Sequence, residues 1–135
     1  MTIATAYWCV LVAAFLPYLW TTVAKASGER YDNRDPRGWL ARQTSPRVHR
    51  ANSAQLNAFE AFAPFAAAVL MAQLAGVNEM RIALLAIVFV VLRFLHGVVY
   101  TLGMPHWMRS LVWFGALLCV VALMAMAALR LGAMS

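Results

Sequence analysis

The sequence predicts an all-α membrane protein, a bundle of four transmembrane helices, and three observations carry this prediction. The chain of 135 residues is 64% hydrophobic and only 12% charged, which is more apolar surface than a soluble domain of this size can cover. The apolar residues fall into four runs of roughly 18 residues or more, each long enough to cross a hydrocarbon core of about 30 Å. These runs take up almost the whole chain, so we expect no additional soluble domain.

The first predicted span covers residues 3–24 of a single domain that extends over 1–135. It has no basic start and no clear small-residue cleavage site, so we expect a retained helix and not a signal peptide. Trp8 and Trp20 lie towards its two ends together with Tyr7 and Tyr18, as expected of side chains that anchor a helix at the membrane interface.

The loop at 26–45 is polar, and its charge predicts the orientation of the protein. Seven basic residues and three acidic ones lie between Lys25 and Arg50. The positive-inside rule places this loop and the connection between the third and fourth spans in the cytoplasm, and both termini on the opposite side. We expect a bacterial inner membrane, with the termini in the periplasm. Membrane orientation and anionic headgroups explain the basic charge better than nucleic acid does. The loop is long for a bundle connection, which predicts either partial structure or a lid.

The second predicted span, 54–75, continues a helix that starts earlier. Thr44-Ser45-Pro46 combines a capping hydroxyl with a proline for the first helical turn. Arg50, Asn57 and Glu60 follow at spacings of seven and three residues, so they share one face of this helix. Glu60 is the only acidic residue inside an apolar run, and it therefore marks a polar site within the membrane.

The third and fourth spans, 81–101 and 108–131, carry the remaining polar groups at the same end of the bundle. Arg93, His96 and Tyr100 share a helix face, and Arg109-Ser110 open the fourth span. An arginine within an apolar span needs a polar partner, so we predict an ion pair between Arg93 and Glu60.

The cysteines do not extend this polar set. Cys9 and Cys119 lie in different spans, with no Cys-x-x-Cys motif and no cluster of cysteine and histidine. We interpret both as small buried hydrophobic residues, and we predict neither a disulfide nor a metal site.

Arginines dominate the predicted polar pocket, and this composition indicates the chemistry of a ligand. Arginine binds carboxylates in bidentate fashion and favours the thiolate form of a nearby thiol. A ligand with carboxylates and a thiol, such as glutathione, fits a pocket of this kind. A purely structural interpretation remains open, in which the ion pair fixes helix register, Arg109 reaches the interface, and His96 makes an interhelical hydrogen bond.

Two segments resemble the MAPEG family of membrane-associated proteins in eicosanoid and glutathione metabolism. The first is Asn57-Ala-Phe-Glu60 followed by Pro64, which is similar to the Asn-x-x-Glu motif and proline of the family's second helix. The second is Arg93-x-x-His96-x-x-x-Tyr100-x-x-Gly103, with Arg109-Ser110 nine residues after Tyr100. This second pattern is most similar to the microsomal prostaglandin E synthase branch, and the resemblance covers essentially the whole chain.

The resemblance implies a homotrimer of four-helix bundles that binds glutathione between adjacent subunits and accepts hydrophobic electrophiles from the lipid. By matching position, Arg109 and Ser110 are the expected catalytic residues at the glutathione thiol. The residues expected to hold glutathione are Arg50, Asn57, Glu60, Arg93, His96 and Tyr100. The implied activity is that of a transferase or peroxidase, and the expected partners are other copies of the chain, lipids and a hydrophobic small molecule.

Two alternatives remain open at this point. Family enzymes commonly carry an arginine one turn before the asparagine, where this chain has Ser53, and that difference favours a non-catalytic lipid- or ligand-binding protein of the same fold. A small proton-coupled drug transporter has a similar length and hydropathy. Such transporters carry their membrane glutamate in the first span, however, whereas Glu60 lies in the second span.

Overall fold

The computed structural model describes residues 1–133, and all helices and strands assigned in that part of the chain are α-helices. Met134 and Ser135, which belong to the predicted 1–135 domain, lie outside the described residues. Five helices follow one another along the chain: α1 Ile3–Ala26, α2 Pro36–Arg42, α3 Pro46–Leu74, α4 Glu79–Leu102 and α5 His106–Gly132.

Four of these helices, α1, α3, α4 and α5, are long and apolar enough to cross a membrane. The predicted class of a four-helix membrane bundle is therefore confirmed. Helix α3 begins at Pro46, as Thr44-Ser45-Pro46 predicts, and so includes eight residues before the predicted span at 54. The capping prediction is wrong in one detail, because Ser45 occupies the N-cap position without a side-chain hydrogen bond.

The helix packing places α3 and α4 at the centre of the bundle. Each of these two helices contacts the other and also contacts both α1 and α5. The rings of Phe65 on α3 and Phe89 on α4 stack with their centres 3.9 Å apart. Small side chains such as Ala68 and Ala72, which are fully buried, let the helix backbones approach closely around this stack. We call the half of the bundle that holds this stack the far half.

Cys119 is buried and Cys9 is half-buried, and both are free thiols in the apolar core. The predicted role of a small buried hydrophobic residue is therefore confirmed for Cys119, whereas Cys9 is only partly buried and packs against the core. Within residues 1–133, no group of three or more histidine, cysteine or acidic side chains is arranged to hold a metal ion.

Trp20 is buried inside the bundle and does not lie at the membrane interface, where it was predicted. Its side chain is only 4% exposed and lies against Gly97 of α4, where a methyl group built on the glycine would come within 2.0 Å of the indole ring. The interface prediction is wrong for Trp20, because the absence of a side chain at position 97 opens a slot that an aromatic ring fills. Trp8, in contrast, is 67% exposed.

The loop between α1 and α3 is structured, which was one of the two alternatives open for it. Asp35 caps α2 by accepting a hydrogen bond from the Gly38 amide. Trp39 is buried and its indole N–H donates to the Arg30 carbonyl. The buried Gln43 side chain accepts from the Glu29 amide and donates to the Trp39 carbonyl, so it joins both ends of the loop. We call the end of the bundle that carries this loop the loop end.

Candidate functional site

A cavity of about 210 Å³ opens between α3, α4 and α5 and contains three of the predicted site residues. We call it the polar cleft. Its polar groups come from Asn57, Glu60 and Arg93, which lie nearest the loop end. Its apolar wall consists of Ala61, Pro64, Phe89, Trp113, Ala116, Leu117 and Val120. The cleft therefore offers polar anchoring at one end and an apolar surface along the rest of its length.

Arg93 contacts the predicted polar face of α3, but its partner there is Asn57 and not Glu60. Its Nη2 donates to the backbone carbonyl and to the side-chain oxygen of Asn57, both at 2.8 Å. The prediction of an ion pair between Arg93 and Glu60 is wrong, because the ion pairs within residues 1–133 all lie in the loop at 26–45. Glu60 lies about 4.5 Å further along the helix axis than Asn57, and α4 presents Arg93 at the level of Asn57.

The consequence of this pairing is that the Glu60 carboxylate stays exposed on the cleft wall. Arg93 itself is only 3% exposed, and its Nε has no hydrogen-bond partner within residues 1–133. The cleft thus combines an exposed acidic side chain with a buried guanidinium whose Nε–H has no hydrogen-bond partner within residues 1–133.

His96 and Tyr100 continue the polar face of α4 from Arg93 towards the loop end. Their rings meet edge to face with centres 5.7 Å apart. His96 is 2% exposed, and its Nδ1 lacks a partner in the described part of the chain. Tyr100 is half-buried and lies about 10 Å from Arg93 along the helix axis, seven residues at 1.5 Å each.

Arg109 lies on α5 just outside the lining of the polar cleft, on its loop-end side, and we call this position the mouth of the cleft. Its guanidinium carbon is 4.4 Å from the centre of the Tyr100 ring, a cation–π contact between α5 and α4. Trp113, which lines the cleft, follows Arg109 by one helical turn on α5. The positive charge is therefore held above the entrance, and none of the ion pairs within residues 1–133 involves Arg109. Ser110, the neighbouring predicted catalytic residue, is exposed.

Arg50 occupies a different place from the other predicted ligand-binding residues. Its Nε donates to the Thr101 carbonyl at 3.1 Å. This carbonyl belongs to the last turn of α4, which ends at Gly103 in the left-handed conformation with φ of 68°. The guanidinium packs directly over Gly103, where an added methyl group would lie 2.9 Å from Arg50 Cζ. In this chain Arg50 caps α4, and it does not line the polar cleft.

The predicted site residues thus form one series and two outliers. Asn57, Glu60 and Arg93 lie in the cleft, and His96, Tyr100 and Arg109 continue from it to the mouth, whereas Arg50 caps α4 and Ser110 is exposed. The apolar wall, above all Trp113 and Phe89, was not predicted from the sequence. Trp113 follows Arg109 by one helical turn, and this spacing is the sequence signal that the two residues share a face of α5.

Comparison with known proteins gives one match. A sequence model of the MAPEG family matches residues 5–129 of this chain. This match includes α2, α3 and α4 completely and most of α1 and α5, so it contains every residue of the polar cleft and its mouth. No curated protein and no solved structure matches the chain.

Proposed function

Because the chain belongs to the MAPEG family, we propose that it is a glutathione-dependent transferase or peroxidase acting on hydrophobic electrophiles. The family includes membrane glutathione transferases and peroxidases. The four long apolar helices make this chain an integral membrane protein. The pattern of Arg93, His96, Tyr100 and Gly103 supports the microsomal prostaglandin E synthase branch as its nearest place within the family.

The observation that carries the proposal is the position of Arg109 over Tyr100 at the mouth of the polar cleft. A guanidinium without an acidic partner stabilises a negative charge that approaches it. Deeper in the cleft, the exposed Glu60 carboxylate suits the amino group of glutathione, and the guanidinium of Arg93, whose buried Nε–H has no partner within residues 1–133, supplies positive charge for a carboxylate. The series from Arg93 to Arg109 therefore matches a ligand that carries carboxylates, an amine and a thiol.

In the proposed mechanism, Asn57, Glu60, Arg93, His96 and Tyr100 hold glutathione. Arg109 stabilises its thiolate, and the hydroxyl of the adjacent Ser110 donates a hydrogen bond to the sulfur. The thiol proton passes to water. We keep Arg50 outside this set, since its guanidinium already binds the Thr101 carbonyl.

The chemical step depends on the electrophile. With a substrate that carries a leaving group, the thiolate forms a carbon–sulfur bond and the leaving group departs with the bonding electrons. With a hydroperoxide, the thiolate attacks the terminal oxygen, the O–O bond breaks to give a sulfenic acid, and the departing alkoxide takes a proton from water to become an alcohol. A second glutathione then reduces the sulfenic acid to the disulfide and water.

The size of the cleft supports a site shared between subunits of a homotrimer. At about 210 Å³ it is smaller than the roughly 300–1,000 Å³ of pockets that enclose a small ligand. Helix α5 also exposes small residues, Ala125 and Ala128, which allow another helix to approach closely. A neighbouring subunit would complete the enclosure of glutathione, while lipid supplies the hydrophobic substrate.

The proposed orientation places the mouth of the cleft in the cytoplasm. Seven basic residues against three acidic ones around the loop favour the cytoplasmic side of a bacterial inner membrane. Glutathione would then enter from the aqueous side at the loop end, and the electrophile would enter from the bilayer.

The test is turnover of glutathione with an aryl halide and with an organic hydroperoxide by purified protein. We expect Arg109→Ala to lower kcat by roughly 100- to 1,000-fold, the loss typical of removing a group that stabilises developing charge. Arg130→Ala, which removes an arginine from the opposite end of α5, should leave kcat unchanged. Full turnover in Arg109→Ala, with the oligomer intact by native mass spectrometry, would contradict the mechanism.

A second candidate function is supported by two observations on α3. Ser53 stands where family enzymes commonly carry an arginine, and Arg50 is engaged at the end of α4. Both observations favour a non-catalytic protein that binds an apolar ligand against the wall of Trp113 and Leu117. This candidate predicts that the protein binds an apolar ligand, and that neither the unmodified protein nor any variant turns over glutathione.

A further inference from the structure

A pocket of about 360 Å³ lies at the far end of the bundle, which is the end opposite the loop end. It opens between the turn that joins α3 to α4 and the last turns of α5. Two arginines line it, Arg81 from the first turn of α4 and Arg130 from the last turn of α5. Its other lining residues are Val77, Asn78, Met126 and Leu129. We call it the far-end pocket.

The two arginines of this pocket have no acidic partner within residues 1–133, where the ion pairs all lie in the loop at 26–45. Glu79 is the only acidic residue in the sequence after Glu60. Its carboxylate accepts a hydrogen bond from the Ile3 amide at 3.1 Å, so it is directed towards α1 and does not line the pocket. Two positive charges therefore share one pocket without a compensating negative charge.

The guanidinium groups are the donors that this pocket offers to a ligand. A methyl group built on Gly76 would lie 3.6 Å from Arg130 Nε, so the arginine side chain folds back over the turn between α3 and α4. The Asn78 side chain accepts from the amides of Met80 and Arg81 at 3.1 and 3.3 Å, so the start of α4 is already capped. Guanidinium groups bind phosphate oxygens in bidentate fashion, and two of them suit a phosphate better than one.

The far-end pocket lies one membrane thickness away from the loop end. Arg109 and Arg130 are 21 residues apart on α5, about 31 Å at 1.5 Å per residue. Arg81 and Thr101 are 20 residues apart on α4, about 30 Å. Because the hydrocarbon core is about 30 Å thick, the two far-end arginines reach the headgroup layer of the opposite leaflet. The positive-inside rule accounts for basic residues at the loop end and not for this pair.

An apolar surface continues from the arginines into the membrane. Leu129 is 75% exposed, and Met126 lies one turn further from the end of α5 than Arg130. Leu129 follows Trp113 by 16 residues, which places it about 160° around α5 at about 100° per residue. The far-end pocket and the polar cleft therefore lie on opposite sides of α5 and share no lining residue. A neighbouring subunit that covers the cleft would leave this pocket open to lipid.

We propose that the far-end pocket binds the phosphate of an anionic phospholipid in the leaflet opposite the loop end. Arg81 and Arg130 hold the phosphate, and an acyl chain lies over Leu129 and Met126. The pocket selects an anionic lipid over a zwitterionic one, because a positive choline or ethanolamine group would lie beside the same two arginines. The site is about 31 Å along α5 from Arg109, so it does not depend on the proposed glutathione chemistry.

The experiment compares two lipids that differ only in the headgroup. Full-length protein in a neutral detergent is stripped of lipid and mixed with phosphatidylglycerol or phosphatidylcholine of identical chains. Native mass spectrometry measures the affinity and the number of retained lipids per subunit. We expect the preference for phosphatidylglycerol to fall about 5-fold in Arg81→Gln or Arg130→Gln and about 30-fold in the double variant. The double variant should also retain one phosphatidylglycerol fewer per subunit.

The matched control is Arg47→Gln, which removes one positive charge from the loop end of the bundle and should keep the lipid of the far-end pocket. Phosphatidylglycerol with a photoreactive group in its glycerol headgroup locates the site. Its crosslinks should include residues 126–130, and these should persist in Arg47→Gln and disappear in the double variant. Because Arg47, Arg81 and Arg130 are all exposed, the variants should fold, and thermal melting in phosphatidylcholine checks this.

Several results would overturn the proposal. Equal retention of both lipids, or an equal loss of the 126–130 crosslinks in Arg47→Gln, would mean that the arginine pair does not select the headgroup. Equal stabilisation by glycerol phosphate alone would indicate a free-anion site without a lipid chain. If the double variant changes the oligomeric state and leaves lipid retention intact, the pocket is a contact with a second copy of the chain.

Discussion

The two halves of the bundle are built differently, although the same helices run through both. In the far half, Phe65, Ala68, Val69 and Ala72 are fully buried and contact other apolar residues. At the loop end, four buried polar atoms have no hydrogen-bond partner within residues 1–133, and they belong to Trp20, Arg93, His96 and Thr101.

The difference separates packing from function. Lipid cannot satisfy a polar atom, so unpartnered groups in a membrane bundle are unfavourable. A fold selected for stability alone would bury apolar side chains at both ends of the bundle, as it does in the far half. Unsatisfied buried polar groups in a native protein call for an explanation, and a ligand or a neighbouring subunit that meets them is a direct one.

The largest expected effect on stability comes from the slot at the loop end that Trp20 fills. Gly97→Ala places a methyl group within 2.0 Å of the Trp20 ring, so the ring must move. Overpacking of this kind costs about 3 kcal/mol. Gly132→Ala is the matched control, because a methyl group there meets nothing within 4 Å. Denaturation in mixed micelles measures both, and an equal, small change in the two variants would mean that Trp20 is not held against α4.

The next effect tests the contact between Arg93 and Asn57. A double-mutant cycle with Arg93→Leu and Asn57→Leu should give a coupling free energy of about 1.5–3 kcal/mol, as for hydrogen bonds to a charged group. A second double-mutant cycle, which pairs Arg93→Leu with Glu60→Gln, should give a smaller coupling free energy. A larger coupling with Glu60 would restore the ion pair that the sequence alone predicts.

A smaller effect separates the far half from the site. Phe65→Leu keeps most of the buried volume but removes the stack with Phe89 and should cost about 1 kcal/mol. Phe65 does not line the polar cleft, and its partner Phe89 contributes only to the apolar wall, so glutathione affinity, which depends on the polar groups at the loop end, should not change. Isothermal titration of the variant with glutathione checks this, and a weakened affinity would show that the two halves are coupled.

The smallest effect concerns Arg50. Arg50→Lys replaces the planar guanidinium that binds the Thr101 carbonyl with an ammonium group and should lower stability by less than about 1 kcal/mol. Glutathione affinity should stay within about twofold of the unmodified protein if Arg50 only caps α4, a change of under 0.5 kcal/mol. A tenfold loss of affinity would return Arg50 to the ligand-binding set.

Apolar run length and helix periodicity were sufficient to predict the fold. They identified four spans, and Pro46 marked the start of α3 correctly. They did not predict α2, because a seven-residue helix has no detectable period and is held by contacts of Asp35 and Trp39 instead.

The site was predicted less completely, and for a definite physical reason. Periodicity places Arg93 on one face of α4, and Asn57 and Glu60 on one face of α3, but it does not give the axial offset between two helices. A shift of about 4.5 Å decides which of the two α3 residues Arg93 meets. Burial of Trp20 and the capping role of Arg50 are likewise tertiary properties, set by Gly97 and Gly103 on a helix distant in sequence.

The most direct test of the central claim, that the loop-end polar groups form a glutathione site, is ultraviolet difference absorbance. Purified protein in detergent is titrated with glutathione near neutral pH, where a thiolate absorbs and a thiol does not. We predict a saturable signal that disappears in Arg109→Ala and persists in Phe65→Leu. Absence of any signal in the unmodified protein, with no thermal stabilisation by glutathione, would contradict the claim and favour a ligand-binding protein without thiol chemistry.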